Sequence, residues 1–506
     1  MFARVATFTV EGVEPHAVGV EVDLRPGLPA FTIVGLGDAA VREARERVRS
    51  AIQNSGFEFP ARRITANLAP AHLRKSGPGF DAAIAAGVLV ASGQLPSLCL
   101  DGLAVFGELS LRGELRGCRG TLVVAEGAAR AGLDALLVPR EREVEAALVG
   151  GLRVAGFSDL RSLAAALAEG RLPPPPSRGS PPPAPDPEGD LADVRGQELP
   201  SLALEIAAAG AHHLLLEGPP GTGKTMLARR LPGILPPLAP AEALEVTRIH
   251  SVAGLHGGDG LASRRPFRAP HHTISAAGLV GGAAPPTPGE ATLAHNGVLF
   301  LDELSEFSRP ALESLRQPLE DGRVAIVRGQ RAVVFPTRVM LVGATNPCPC
   351  GHAPGDRCAC GEADLARHRR RFSGPLLDRI DLLAAVERPG ADALEGDPPA
   401  RSSVVRERVV EARARQTSRL AAEGLRCNGD MGPAAVRRHV RLDAEGERAL
   451  REAYEEGGLS PRARHRVLRV ARTLADLAAR ERVRKSDVLR ALSLRERAPR
   501  KAEKAA

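Results

Sequence analysis

Eight consecutive residues, Gly218-Pro219-Pro220-Gly221-Thr222-Gly223-Lys224-Thr225, carry the clearest chemistry in the sequence. Glycines at these spacings let backbone N–H groups curl around a phosphate. A helix starting at the lysine would add the partial positive charge of its N-terminus. Lys224 would then reach the β- and γ-phosphates of ATP, and the Thr225 hydroxyl would hold Mg²⁺. Only five lysines occur in the chain (Lys75, Lys224, Lys485, Lys501, Lys504) among 68 Lys and Arg residues. A lysine here suggests that a point charge is required, which a guanidinium fork does not replace.

Further along, Val298-Leu299-Phe300-Leu301 runs into Asp302-Glu303. Behind a P-loop, four apolar residues and two carboxylates read as a Walker B strand. Asp302 would bind Mg²⁺ through water, and Glu303 would orient and activate the attacking water. Asn346 ends the strand-like run Leu341–Thr345. Its amide could hold that water beside the γ-phosphate, a position similar to sensor 1 of AAA+ ATPases, or it could be a strand-end turn asparagine. Arg379, in Ser373-Gly374-Pro375-Leu376-Leu377-Asp378-Arg379-Ile380-Asp381, is the candidate arginine finger toward a neighbouring subunit. The alternative is a local pair with Asp378 or Asp381. Arg462 is placed as a sensor-2 arginine, with Arg464 and Arg466 as rivals.

Cys348, Cys350, Cys358 and Cys360 form a C-x-C-x₇-C-x-C cluster. Four thiolates could close a tetrahedral Zn²⁺ site, but ordinary zinc knuckles use two-residue spacings. Free thiols and a redox disulfide stay open as readings. Two basic stretches are candidates for DNA contact. One is Arg264-Arg265-Pro266-Phe267-Arg268-Ala269-Pro270-His271-His272, read as a Pro-bounded loop facing a substrate, with intersubunit packing as the rival. The other is the tip of a β-hairpin over Arg323–Phe335, whose turn places Arg328 and Arg331.

These residues need a scaffold. The apolar run Leu214–Leu216 reads as a buried strand before the phosphate loop, and Met226–Arg230 as the helix after it. At 506 residues the chain exceeds one core. Residues 1–170 alternate strand-like and helix-like stretches: strands at Ala6–Val10, Ala17–Val22, Phe31–Val34 and Ile64–Leu68, an exposed helix over Ala39–Asn54 and a buried one over Phe80–Ala91. Residues 171–189 are a Pro-rich linker. Residues 190–395 hold the ATPase core. Residues 396–498 read as a helical lid, with helices over Val404–Glu423, Ala444–Gly457, Pro461–Arg480 and Asp487–Leu494, the last capped by Ser486. Residues 499–506 form a basic tail. No apolar run is long enough for a membrane span, and no secretory leader is visible, so a cytoplasmic protein is expected.

The formal net charge of +8 is uneven. Residues 396–506 hold 27 basic and 16 acidic side chains, whereas residues 1–170 hold 18 and 19. The excess at the C-terminal end suggests a polyanion such as DNA, with a solvated helical surface as the other reading. With no Trp and one Tyr, phosphate contacts fit better than base stacking.

Lys75-Ser76-Gly77-Pro78-Gly79-Phe80-Asp81 resembles the active-site turn of the Lon-type protease fold. Gly79 stands where that turn carries its serine, Ser76 is on the wrong part of the turn, and no lysine lies between Lys75 and Lys224. The resemblance implies the fold, which is ribosomal-S5-like, and argues against peptidase chemistry.

Taken together, the P-loop, RPFRAPHHTIS, GVLFLDELSEF, GATNPCPCG, SGPLLDRIDL and SPRARHRVLRVARTLADL resemble the ComM/YifB family of AAA+ ATPases, related to the magnesium-chelatase ATPase subunit. The resemblance implies an α/β P-loop core with a helical lid behind a Lon-like α/β domain. It also implies a homo-hexameric ring with ATP between subunits, and DNA branch migration during natural transformation. The basic insert and hairpin would then face the central pore. The rival functions are a protein-remodelling or chelatase-type ATPase and, opposed by Gly79, an ATP-dependent protease.

Overall fold

The computed structural model describes residues 1–176, 189–256, 260–282, 286–328, 331–352, 358–371, 374–456 and 459–495. Most of the linker, Ser373, the basic tail, and the side chains of Arg328 and Arg331 lie outside the described residues.

The N-terminal part is a seven-stranded mixed sheet. Its spatial order is Ala30–Val34, Arg63–Ala69, Glu14–Arg25, Phe2–Glu11, Leu103–Val105, Ala135–Pro139 and Arg153–Phe157. In Glu14–Arg25 the alternation is plain: Val18, Val20, Val22 and Leu24 are buried, and Gly19, Glu21 and Asp23 are half-buried. The Ala39–Asn54 helix buries Val41, Ala44, Val48, Ala51 and Ile52 along one stripe, and the Asp38 carboxylate caps it by accepting from the Val41 N–H at 3.0 Å. The Asp81–Ala91 helix is buried on all sides. At Gly79 an added Cβ would lie 2.3 Å from Phe106 Cε2, so a serine does not fit there without moving that ring.

The ATPase core is a five-stranded parallel sheet in the order Phe267–Arg268, Val298–Leu301, Met340–Thr345, Leu214–Glu217, Leu382–Ala385. Its inner strands are apolar and buried on both faces, as a covered parallel sheet requires. Register places Glu217 beside Thr345 and Leu301 beside Gly343. The P-loop, Asn346 and Asp302 therefore leave one carboxyl edge of the sheet together, where α/β sheets bind ligands.

The C-terminal helices run Ser402–Leu420, Pro433–His439, Ala444–Glu455, Pro461–Leu477 and Lys485–Ser493. The short second helix was not anticipated. Ser486 does not cap the last helix, which starts one residue earlier at Lys485. Arg484 holds the cap position, its N–H donating to the Asp487 carboxylate at 2.9 Å. The Arg323–Arg328 and Arg331–Pro336 strands pair as a hairpin with Arg328 opposite Arg331, as the turn residues indicated.

The N-terminal sheet docks directly on the ATPase core. Val13 packs in a cluster with Ile249, Leu293, Val324, Val333 and Phe335, at the base of the hairpin. Arg248 pairs with Glu126 at 2.9 Å. The buried Glu145 carboxylate accepts from Ser251 Oγ and, at 3.2 Å, from the Leu122 N–H.

Candidate functional site

The P-loop leaves its strand at Gly218, whose N–H donates to the Thr345 carbonyl at 3.1 Å. A Cβ at Gly218 would sit 2.0 Å from the Val386 carbonyl oxygen, so the glycine is forced by backbone on the next strand. Gly221 and Gly223 have φ of +75° and +90°, the left-handed region that glycine enters without strain. Among the described residues, no hydrogen bond uses the backbone N–H groups of Gly221, Thr222, Gly223, Lys224 or Thr225. Those donors ring the N-terminus of the Lys224–Ile234 helix, and the loop fits a polyphosphate.

Lys224 is 9% exposed. Its Nζ donates to the Gly218 and Pro219 carbonyls at 2.7 Å each and to Asn346 Oδ1 at 3.1 Å. Burial pulls this ammonium below its ordinary pKa, and the Asp302 and Glu303 carboxylates oppose that shift. Thr225 Oγ1 donates to Asp302 Oδ2 at 2.7 Å. One hydroxyl and one carboxylate thus sit within reach of a single Mg²⁺. Glu303 has φ of 48°, a strained value for a residue with a side chain, and its carboxylate is 60% exposed. His272 Nδ1 lies 3.5 Å from Glu303 Oε2.

The basic insert is not the free loop expected. Phe267–Arg268 is the edge strand of the sheet, paired with Val298 and Leu299 of the Walker B strand. Arg265 is a tether: it donates to the carbonyls of Pro236, Pro237 and Asn296 and to the Glu242 carboxylate at 2.7 Å. Arg268 makes a two-pronged pair with Glu290 at 2.6 and 2.8 Å. Both guanidiniums are therefore held inside the subunit. Arg264 is half-buried and His271 is exposed, its ring 4.1 Å from that of His272.

Arg379 pairs with Glu320, not with Asp378 or Asp381. Asp378 instead lies 3.8 Å from Arg466, and Asp381 accepts from Arg469 at 2.6 Å. Arg462 and Arg464 are exposed in the first turn of the Pro461–Leu477 helix. Arg466 is buried, donating to the Ile380 carbonyl, and burial among neighbouring arginines lowers its pKa to about 10. It holds the lid to the core.

Sequence reasoning missed this node. Asp381 is 3% exposed and also faces His212 Nδ1 at 3.3 Å, while His212 Nε2 meets Thr473 Oγ1 at 2.8 Å. Burial alone would raise the Asp381 pKa; Arg469, His212 and His213 outweigh it and hold the carboxyl below the usual range. It links the strand beside the P-loop strand to the lid.

The four cysteines of the cluster converge. Cys348 Sγ is 3.3 Å from Cys350 Sγ and 3.8 Å from Cys358 Sγ, and Cys350 and Cys358 are 3.6 Å apart. A hydrogen bond from the His352 N–H and the Cys348 thiol lower the Cys350 pKa to about 6.

Three family descriptions cover the chain: "Magnesium chelatase, subunit ChlI" over residues 190–394, "Subunit ChlI of Mg-chelatase" over 20–142, and "Magnesium chelatase, subunit ChlI C-terminal" over 399–495. The chain is 42% identical to YifB of Escherichia coli over 493 residues, covering 96% of this chain and 95% of that protein. It is 41% identical to the competence protein ComM of Haemophilus influenzae over 490 residues, with the same coverage. The chain belongs to the ComM/YifB family of magnesium-chelatase-like AAA+ ATPases. A shorter similarity, 29% over 257 residues, extends to the Holliday junction branch migration complex subunit RuvB of Streptomyces coelicolor, covering 47% of this chain and 60% of that one. A ComM/YifB-family chain is thus an AAA+ ATPase. Among the described residues no helix is long and apolar enough to cross a membrane.

Proposed function

We propose that this protein is an ATP-driven ring motor, a homo-hexamer that moves on DNA and promotes branch migration of recombining strands during natural transformation. The observation that carries the reading is the 41% identity to the competence protein ComM over nearly the whole chain, and the P-loop edge that brings Lys224 to Asn346 and Thr225 to Asp302 supports it. The shorter similarity to a branch-migration subunit supports the same substrate class. So does the basic excess in residues 396–506.

In this mechanism the substrate is ATP. Its triphosphate lies along the N–H groups of Gly221–Thr225, and the Lys224 ammonium turns from the Gly218 and Pro219 carbonyls to the β- and γ-oxygens. Thr225 and Asp302 would hold Mg²⁺, which neutralises charge between those oxygens when bound. Glu303 takes the proton of the attacking water, and Asn346 orients that water beside Lys224. Arg379 stabilises the γ-phosphoryl group of the neighbouring subunit, the role that the resemblance of SGPLLDRIDL implies, and within its own subunit it pairs with Glu320. Arg462, exposed in the lid, is the sensor-2 candidate, and a zinc ion at the four cysteines would serve structure rather than hydrolysis. DNA contact falls to Arg264, His271 and the hairpin tip, because Arg265 and Arg268 are occupied and His272 faces Glu303.

The test is ATPase activity and strand migration with no DNA, single strands and a Holliday junction, using Lys224→Ala as control. Stimulation by DNA and ATP-dependent junction movement are expected. ATP turnover that ignores DNA but rises with a protein partner would replace this reading with a protein-remodelling ATPase.

A further inference from the structure

We propose that Cys348, Cys350, Cys358 and Cys360 bind one Zn²⁺ as four thiolates, and that this ion braces the Asn346 strand end against the P-loop. Each cysteine offers one sulfur, and all four sulfurs lie within 4.8 Å of one another. A tetrahedron with Zn–S bonds of about 2.3 Å has edges of about 3.8 Å. The edges among Cys348, Cys350 and Cys358 are 3.3, 3.6 and 3.8 Å, close to one face of that tetrahedron, and Cys360 lies within 4.8 Å of all three. None of the four is in a disulfide. Cys348 is fully buried and the other three are half-buried, which suits a closed structural site rather than one with an open position for substrate. Thiolates are soft ligands, so the site selects zinc and rejects the Mg²⁺ that Thr225 and Asp302 would take.

The position gives the ion its role. Cys348 lies two residues after Asn346, whose side chain accepts from Lys224 at 3.1 Å. The Gly351 N–H donates to the Cys348 carbonyl at 3.0 Å, closing a tight turn around the first cysteine pair. Gly351 has φ of +83°, and a Cβ added there would lie 2.5 Å from Pro220 Cδ. The metal-binding turn therefore rests on the P-loop itself. His368, from the helix that follows the last cysteine, meets the Asn346 carbonyl at 3.0 Å and closes the other side. With the ion bound, Asn346 and Pro220 are held against one rigid knot. Without it, two segments that face the γ-phosphate lose their common support.

The assignment does not depend on what the motor moves. Full-length protein purified in reductant, without added metal, is analysed for bound metals by mass spectrometry. About one zinc per chain is expected, retained in Lys224→Ala and lost in Cys358→Ser and Cys360→Ser. Because those serine variants can fail to fold, the native protein is also stripped with a thiol reagent and a zinc indicator. One equivalent should be released with unchanged far-ultraviolet dichroism, while ATP affinity falls about tenfold, the usual loss when a supporting shell is removed. Absence of zinc from fresh protein overturns the site, and iron with a visible thiolate absorption overturns the choice of metal. Zinc release that leaves ATP affinity unchanged overturns the brace. DNA stimulation is read separately, so failure of the DNA reading does not touch these outcomes.

Discussion

Replacing Arg469 by alanine should loosen the lid from the ATPase sheet. Arg469 donates to Asp381 Oδ1 at 2.6 Å and to the Gly429 carbonyl at 2.7 Å. Asp381 is 3% exposed, and its other described side-chain partner is His212 at 3.3 Å. The substitution leaves a buried carboxylate with one long hydrogen bond. Breaking a buried pair from one side costs about 3–5 kcal/mol. At about 2–4 °C per kcal/mol, the melting temperature should fall by roughly 6–20 °C. The sign with pH is also fixed. In the wild type the Asp381 pKa is depressed, so its stabilisation is present above the unfolded carboxylate value and lost as pH falls through the folded one. In the variant the carboxyl loses its main cation and its pKa rises. The defect should therefore shrink as pH is lowered and the acid becomes neutral. Because several structural units unfold here, the readout is hydrogen exchange of the Leu382–Ala385 strand and the Pro461–Leu477 helix alongside the melt. A variant that melts within about 2 °C of the wild type at pH 7, far below the computed cost, would refute the reasoning.

Three further outcomes are expected. Asn346→Ala should lower kcat by about a hundredfold with a small change in KM, as loss of a group acting on the attacking water does; an unchanged kcat would remove Asn346 from the chemistry. His272→Ala should lower kcat by about tenfold, because it removes the ring that lies 3.5 Å from the exposed Glu303 carboxylate, and His272→Gln should recover part of the loss. Hydrogen bonds from His295 and Asn296 lower the Glu245 pKa from 4.5 to about 2, so its stabilisation is complete above pH 4.5 and disappears toward pH 2. Acid titration of Glu245→Gln should accordingly show a deficit at pH 7 that closes across that window, and a deficit constant with pH would contradict the assignment.

What was legible in the sequence was local. The P-loop, the apolar strand before Asp302-Glu303 and the hairpin are each written within a short stretch of sequence, so local spacing places these elements. The occupied arginines were not legible. Arg265 finds Glu242 and Arg268 finds Glu290 more than twenty residues away, and a basic stretch reads the same whether its charges are free or paired. Asp381 was seen only as a neighbour of Arg379, because its real partner is 88 residues further on. Ser486 looked like a cap by residue type, but Asp487 supplies the stronger acceptor and moves the helix start back. The cysteine pairs lacked the spacing of a zinc knuckle, yet the fold brings all four sulfurs within 4.8 Å of one another, a proximity between two segments that spacing does not encode.

The arrangement at the P-loop edge also bears on how the proposed hydrolysis would move the rest of the chain. Three segments reach it from three separate elements. His272 comes from the insert beside the edge strand, Asn346 from the turn that carries the cysteines, and Lys224 from the helix beneath. Arg379 sits two residues before Asp381, which is fixed to the lid by Arg469. The backbone that carries the proposed finger is thus tied to the lid through a buried ion pair, while the Arg379 side chain itself pairs with Glu320. A rotation of the lid would carry Arg379 with it and alter the neighbour's site. The N-terminal sheet is tied to the opposite end of the same core, through Val13 at the hairpin base and Glu126 on Arg248. In the proposed motor these contacts, already present in the subunit, would couple the P-loop edge to lid and hairpin. Breaking Arg469–Asp381 should therefore lower ATP turnover in the assembled ring more than ATP binding to a single chain, a split measured by comparing kcat with nucleotide affinity in the same variant.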